Sequence, residues 1–163
     1  MRHVISVLME NESGALSRVV GLFSARGYNI DSLSVNVTDD KTLSRLTLTT
    51  QGDERMLEQI LKQLNKLIEV VKVCDLNQGK FTERELILIK IRATAKDRRE
   101  FLELIQIYRG NTVDVTERTL TAEITGSSDK IDSFIDLISK TNILEIVRTG
   151  AVGLGCGERT MKV

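Results

Sequence analysis

The spacing of apolar residues switches between strand and helix periods in the same order twice along these 163 residues. In the first half, the apolar run Val4–Met9 predicts a strand, and the stripe that starts at Leu16 predicts a helix, because apolar residues recur there at i, i+3, i+4 and i+7. Alternating residues around Leu33 and Leu46 predict two strands, a second helical stripe follows, and Val70–Leu76 predicts a fourth strand. The order strand, helix, strand, strand, helix, strand is that of the ferredoxin-like βαββαβ unit.

The same order returns after the polar segment 77–82. Glu85–Ile91 is apolar on both faces, so we expect it to be a central strand of the second sheet. Two more helical stripes and two alternating strands follow, and Ile143–Val147 closes the unit. We therefore predict an α+β protein with two consecutive ferredoxin-like domains, over residues 1–77 and 83–163.

The sheet edges and the chain end raise two further expectations. Both helices of each unit should lie on one face of a four-stranded sheet, which leaves the other face uncovered. Exposed edges in such small sheets can be covered by pairing with another copy, so we expect at least a homodimer. The Gly-rich run Gly150–Gly157 has no useful helix after it and lacks a Gly-Lys-Ser/Thr sequence, so it predicts a flexible tail rather than a nucleotide loop.

The composition argues against several classes of partner. Lys plus Arg and Asp plus Glu both number 23, so no global field attracts DNA or an acidic membrane. Aromatic residues make up 4% of the chain and Trp is absent, which removes the usual stacking platform for single-stranded nucleic acid. No apolar run approaches the roughly 20 residues that span a bilayer, and no signal-peptide pattern precedes the first strand. We therefore expect a cytoplasmic protein without nucleic-acid or membrane partners.

The residues used for catalysis and metal binding are sparse. His3 is the only histidine, so no catalytic triad and no histidine-based metal site can be assembled. Cys74 lies in an apolar strand pattern and is interpreted as a core residue, and Cys156 as an incidental free thiol. The sequence therefore predicts no catalytic residues, no metal ligands and no cofactor held by this chain.

The connection from the first strand to the first helix is the best candidate for a binding site. A polar turn, Glu10–Ser13, leads directly into the helix, whose first N–H groups have no partner within the helix. Gly14 keeps side-chain bulk away from these donors, which suits a small anion such as an amino-acid carboxylate. The alternative is purely structural: Ser13 caps the helix and Asn11 shapes the turn. A second strand is expected to start at Tyr28, directly after the glycine that ends the helix.

The same region carries a family resemblance. Glu-Asn-Glu-Ser-Gly-Ala-Leu-Ser-Arg from residue 10, and Gly-Leu-Phe-Ser-Ala-Arg-Gly-Tyr-Asn-Ile-Asp-Ser-Leu from residue 21, closely resemble the regulatory (small) subunits of acetohydroxyacid synthase. Segments 39–45, 57–67, 83–90 and 113–116 extend the resemblance over essentially the whole chain.

This resemblance implies an N-terminal ACT domain and a C-terminal domain of related fold. It implies a subunit without catalytic activity that binds a catalytic subunit carrying thiamine diphosphate, Mg²⁺ and FAD, raises its activity and makes it sensitive to valine. The effector is then expected between two ACT domains, with the loop and helix start of one protomer facing the second strand of the other. The matching residues are Asn11, Gly14, Ala15 and Leu16 on the first side, and Asn29 and Ile30 on the second.

Two other classes remain open at this point. One is a stand-alone ACT sensor of amino acids that controls a different enzyme or a transcription complex. The other is a small ferredoxin-like enzyme or RNA-binding protein, although the RNA-binding version lacks aromatic residues on the sheet. An acylphosphatase-like enzyme would also need an arginine in the first loop, which this chain does not have.

Overall fold

The computed structural model describes residues 1–138 and 142–161, which form two compact units. The first contains Met1–Thr82 together with the described residues from Ala151 onward, and the second contains Glu83–Gly150. This differs from the predicted second domain, 83–163, because the C-terminal segment packs with the first unit. The predicted end of that domain, at residue 163, lies outside the described residues.

The first unit is a ferredoxin-like fold, as predicted. Its elements are β1 (Arg2–Glu10), α1 (Ala15–Ala25), β2 (Ser32–Val37), β3 (Leu43–Gln51), α2 (Glu54–Leu64) and β4 (Val70–Asp75), followed by a short 3-10 turn at Leu76–Gln78. The strand order is β2-β3-β1-β4, and the neighbouring strands are antiparallel. Asp53 caps α2 by accepting a 2.7 Å hydrogen bond from the backbone N–H of Met56.

Both helices of this unit pack on one face of the sheet. Alternate residues of β1 and β3 point to the helices, and the other set points away. The buried core comprises Ile5, Val7, Met9, Ala15, Val19, Phe23, Leu46, Leu48, Leu57, Ile60 and Leu64. The helical and strand periods of the sequence predict most of this core, but Val20, at i+4 of the first helical stripe, is 38% exposed.

The second unit repeats the topology. Its elements are β5 (Phe81–Arg92, which begins in the first unit), α3 (Arg98–Ile107), β6 (Asn111–Val115), β7 (Thr119–Gly126), α4 (Ser128–Leu137) and β8 (Ile143–Arg148). The order β6-β7-β5-β8 makes β5 central, as predicted. Only one apolar face of β5 is fully covered, however: Ile87 and Ile89 are buried against the helices, whereas Leu88 on the other face is 39% exposed.

A buried ion pair lies inside the second unit. The Glu85 side chain is 4% exposed, and both of its oxygens accept hydrogen bonds from Arg148, at 2.6 and 2.9 Å. Arg148 also pairs with Asp132 at 2.9 Å. The hydrogen bonds from Arg148 to Glu85 raise the pKa of the guanidinium above its ordinary value. Glu85 thereby joins the central strand to the residue that ends β8.

The predicted flexible tail is wrong, because this segment is an ordered part of the first unit. We call Ala151–Met161 the C-terminal strap. It contains a ninth strand, β9 (Val152–Gly155), which pairs with β5, and Cys156 donates its backbone N–H to the carbonyl of Lys80 at 3.0 Å. The glycines allow close packing instead of disorder, since a Cβ at the buried Gly153 would overlap Leu76.

Candidate functional site

The loop after β1 is held in place by the turn before β3. The backbone N–H of Asn11 donates to the carbonyl of Thr42 at 2.7 Å, and its side-chain Nδ2 donates to the carbonyl of Lys41 at 2.9 Å. Its Oδ1 accepts a 3.1 Å bond from the hydroxyl of Ser44. Asn11 therefore fixes the loop, and its amide keeps one proton and one lone pair for further bonds.

The turn that holds Asn11 is itself stabilised by Asp40. Its carboxylate accepts hydrogen bonds from the hydroxyl of Thr42 at 2.7 Å and from the backbone N–H of Thr42 at 2.9 Å. The hydroxyl bond and then the backbone bond lower the pKa of Asp40 from its ordinary value. The carboxylate therefore keeps its charge, and with it these two bonds, to a lower pH than an ordinary aspartate.

Helix α1 begins without a side-chain cap. Its N-cap residue is Gly14, with φ at +91°, and no side chain accepts a hydrogen bond from the first turn. The alternative that Ser13 caps the helix is therefore wrong. The N–H of Ala15 makes only a long 3.3 Å bond to the carbonyl of Glu12, and the N–H of Arg18 makes a 3.0 Å bond to the carbonyl of Gly14. The N–H groups of the two residues between them belong to the first helical turn, where the helix itself provides no acceptor.

The space around Gly14 is open. No heavy atom lies within 4 Å of the position that a Cβ would occupy there. Ala15 is buried and Leu16 is half-buried, so the core fixes the backbone immediately after the open position. Arg18 on the same turn is already paired with Glu69 at 2.5 Å. The positive end of α1, rather than a lysine or arginine side chain, is therefore the feature of this loop that attracts an anion.

Asn29 and Ile30 lie between α1 and β2, not on the second strand as predicted. The strand begins at Ser32. The Nδ2 of Asn29 donates to Asp31 at 2.8 Å, and its carbonyl accepts a 2.6 Å bond from the side-chain hydroxyl of Thr50 on β3 rather than from a backbone N–H of the sheet. Asn29 is exposed and Ile30 is half-buried at the edge of the core.

Within one chain the two groups of site residues lie far apart. Asn11 contacts Ser44 at the start of β3, whereas Asn29 contacts Thr50 near its end. The six residue steps from Ser44 to Thr50 span about 20 Å at the usual strand rise. The 11 residues of α1 also separate the groups by about 16 Å. The structure brings Asn11, Gly14, Ala15 and Leu16 together, but it does not bring Asn29 and Ile30 to them.

Arg45, the residue after Ser44 on β3, is a further polar residue at this end of the sheet. It is half-buried on the face opposite the helices, and burial lowers the pKa of its guanidinium. It donates to the hydroxyl of Ser6 at 3.0 Å and to the carbonyl of Gly153 at 2.9 Å. In the sequence, Arg45 could have been recognised because it is a single arginine in a strand whose alternate residues are core leucines.

The described residues contain no group of three or more His, Cys, Asp or Glu side chains that could hold a metal ion. In the same part of the chain, no helix is long and apolar enough to cross a membrane. Both cysteines are free. Cys74 was predicted to lie in the core but is half-buried, and Cys156 is exposed.

Comparison with known proteins covers nearly all of this chain. Residues 5–72 match the model of the ACT domain of AHAS small subunit-like proteins, and residues 84–157 match the model for the small subunit of acetolactate synthase. The acetolactate synthase isozyme 3 small subunit of Salmonella typhimurium is 52% identical, over 99% of this chain and 100% of the relative. A probable acetolactate synthase small subunit of Archaeoglobus fulgidus is 45% identical, over 98% and 99%.

A solved structure agrees with these sequence matches. The crystal structure of the acetolactate synthase small subunit from Thermotoga maritima superposes with a TM-score of 0.86 at 39% identity, covering 94% of this chain and 96% of that one. Two family models that together span most of the chain, full-length relatives and a matching fold all lead to one conclusion. This chain belongs to the acetolactate synthase small-subunit family.

Proposed function

We propose that this chain is a non-catalytic regulatory subunit in the cytoplasm that activates the catalytic subunit of acetolactate synthase and confers feedback inhibition by valine. Thiamine diphosphate, Mg²⁺ and FAD are then carried by the catalytic partner and not by this chain. The observation that carries the effector site is the separation of its two halves: each is exposed, yet they lie at opposite ends of β3. One valine can contact both halves only if they come from two protomers.

The first half of the site binds the valine carboxylate. Its donors are the N–H groups at the start of α1, where no side chain competes for them. The helix dipole adds about 0.3–2 kcal/mol for a negative charge at this position. Gly14 leaves the approach open, and the amide of Asn11 offers one more proton beside it. This half supplies the donors for the carboxylate, and it supplies few acceptors.

The second half supplies the acceptor that the valine ammonium needs. The Nδ2 of Asn29 is bonded to Asp31, which leaves Oδ1 to accept from the ammonium. Leu16 of one protomer and Ile30 of the other are both half-buried and form apolar walls for the isopropyl group. A pocket of this kind distinguishes one methylene by about 1–3 kcal/mol, so valine is preferred over leucine or isoleucine only modestly.

An open edge of the first sheet supports the homodimer. Among the described residues, β2 pairs only with β3, so its other edge is open. Val37 on this strand is 51% exposed, and Val20 on α1 is 38% exposed. Pairing with a second copy covers both and creates two equivalent composite sites by two-fold symmetry.

Inhibition follows from the sharing of one ligand by two protomers. Valine stabilises the dimer arrangement that brings the two halves together. If the catalytic subunit binds best to another arrangement, valine opposes activation. Thermodynamic linkage then requires that bound catalytic subunit weakens valine binding by the same factor.

The test is to mix the purified chain with its catalytic subunit, with and without valine, and to measure acetolactate formation. We expect this chain to raise the activity and valine to lower it again. If the activity is unchanged although the chain binds an amino acid, the stand-alone sensor is supported instead. If this chain alone turns over pyruvate, the non-catalytic assignment is wrong.

A further inference from the structure

The C-terminal strap is attached to the first unit at one end by Arg45. The guanidinium reaches across the sheet face opposite the helices and donates to the carbonyl of Gly153 at 2.9 Å. Long 3.5 Å bonds run from the N–H of Gly153 to the hydroxyl of Thr47 and from the N–H of Ala151 to the hydroxyl of Ser32. The strap thus contacts both β2 and β3 through its backbone.

A second arginine attaches the other end of the C-terminal strap. Arg159 donates to the carbonyl of Asp75 at 2.6 Å, and the same nitrogen lies 3.0 Å from the sulfur of Cys74. Met161 beyond it is 7% exposed. Two half-buried arginine anchors, one near each end, make the strap a fixed element of this unit.

The strap contacts the strand that follows the second half of the proposed valine site. Ser32, which the strap touches, is two residues after Ile30 and bonds through its hydroxyl to Thr49 at 2.8 Å. The next residue of β3, Thr50, holds the carbonyl of Asn29 at 2.6 Å. A shift of Asn29 and Ile30 when valine binds therefore acts on the same two strands that carry the strap.

The strap is also continuous with the second unit. The chain leaves that unit at Gly150 and enters the strap at Ala151, shortly after β8 ends at Arg148. The last residue of β8, Arg148, is fixed inside the second unit by its two bonds to Glu85. Only Thr149 and Gly150 separate Arg148 from the strap. A movement of the strap therefore acts on β8 through a connection of two residues.

We propose that the C-terminal strap transmits valine binding from β2 and β3 of the first unit to β8 of the second, with Arg45 as the positioning residue. The proposal rests on the valine site proposed above and adds the route by which its occupancy reaches the rest of the chain. Arg45 does not contact valine in this scheme; it keeps the strap attached to the strands that respond to valine.

Hydrogen exchange of the full chain with its catalytic subunit, with and without valine, tests this route. We expect valine to slow exchange in residues 11–16 and 29–32, and also in 143–148 and 151–155 by about fivefold or more, the lower end of ordinary coupling. If only the first two segments respond, valine binds as proposed but the strap does not transmit. If no segment responds, the valine site itself is wrong.

Point variants of the anchors separate transmission from binding. In Arg45→Met and in Arg159→Met, we expect valine still to protect residues 11–16 while its half-inhibitory concentration rises about fivefold or more. Arg55→Met removes an exposed arginine of α2 and is the matched control, which should be inhibited like the wild type. Unchanged inhibition in both anchor variants, with thermal unfolding also unchanged, would overturn the proposal.

Discussion

Replacing Gly14 with aspartate places a fixed carboxylate at the N-terminus of α1, where the proposed site binds the carboxylate of valine. The backbone there has φ at +91°, a region that asparagine and aspartate tolerate better than other residues, and no heavy atom lies within 4 Å of the new Cβ. Two unit charges about 5 Å apart repel by about 3 kcal/mol at an effective dielectric of about 20. We therefore expect valine binding to weaken by roughly two orders of magnitude, whereas activation of the catalytic subunit persists.

Calorimetry of valine binding and inhibition of the reconstituted enzyme measure this effect. Gly14→Asn is the matched control, because it has the same size and backbone tolerance but no charge. We expect it to weaken binding much less than Gly14→Asp. Equal loss in the two variants would refute the electrostatic reasoning, and wild-type affinity in Gly14→Asp would refute the site.

Three further predictions concern other parts of the chain. Asn29→His removes the amide Oδ1 that is proposed to accept from the ammonium, so valine affinity measured by calorimetry should fall about tenfold, the loss of roughly one charge-assisted hydrogen bond. Wild-type affinity would count against the cross-protomer half. Asp40→Ala removes the carboxylate oxygen that accepts both hydrogen bonds from Thr42 in the turn that holds Asn11, so valine should bind more weakly. Glu12→Ala in the exposed loop should bind valine like the wild type. Arg148→Met removes the cation that is paired with the buried Glu85 carboxylate and should lower the free energy of unfolding by about 3 kcal/mol in urea denaturation. A loss below about 1 kcal/mol would show that solvent screens the pair.

Periodicity predicts the fold because both units obey the simple rules of one-sided sheets. The stripes of α1 and α2 and the alternation of β1 and β3 predict most of the buried residues, although the stripe of α1 also includes the exposed Val20. The strap was not predictable in this way, since its order comes from long-range contacts. A glycine run in a sequence predicts flexibility, and only the buried neighbours of Gly153 show that the missing side chain allows packing.

The first half of the site was predictable from local sequence, and the second half only from the family resemblance. Gly14 at the start of an amphipathic helix indicates exposed N–H donors without any tertiary information. Asn29 and Ile30 follow a glycine and an apolar stripe, which predicts a strand start. The bond from Thr50 to the carbonyl of Asn29 instead keeps this segment out of the sheet, and it depends on a residue 21 positions away.

Mixing two defective variants tests the shared site most directly. A dimer of one Gly14→Asp protomer and one Asn29→His protomer has both changes in one composite site and neither in the other. Random mixing of equal amounts should therefore restore about one quarter of the wild-type number of full-affinity valine sites, because half of the dimers are mixed and each has one intact site. If each site lay within a single protomer, mixing would restore none, and titration calorimetry of the mixture would show only the weak binding of the separate variants.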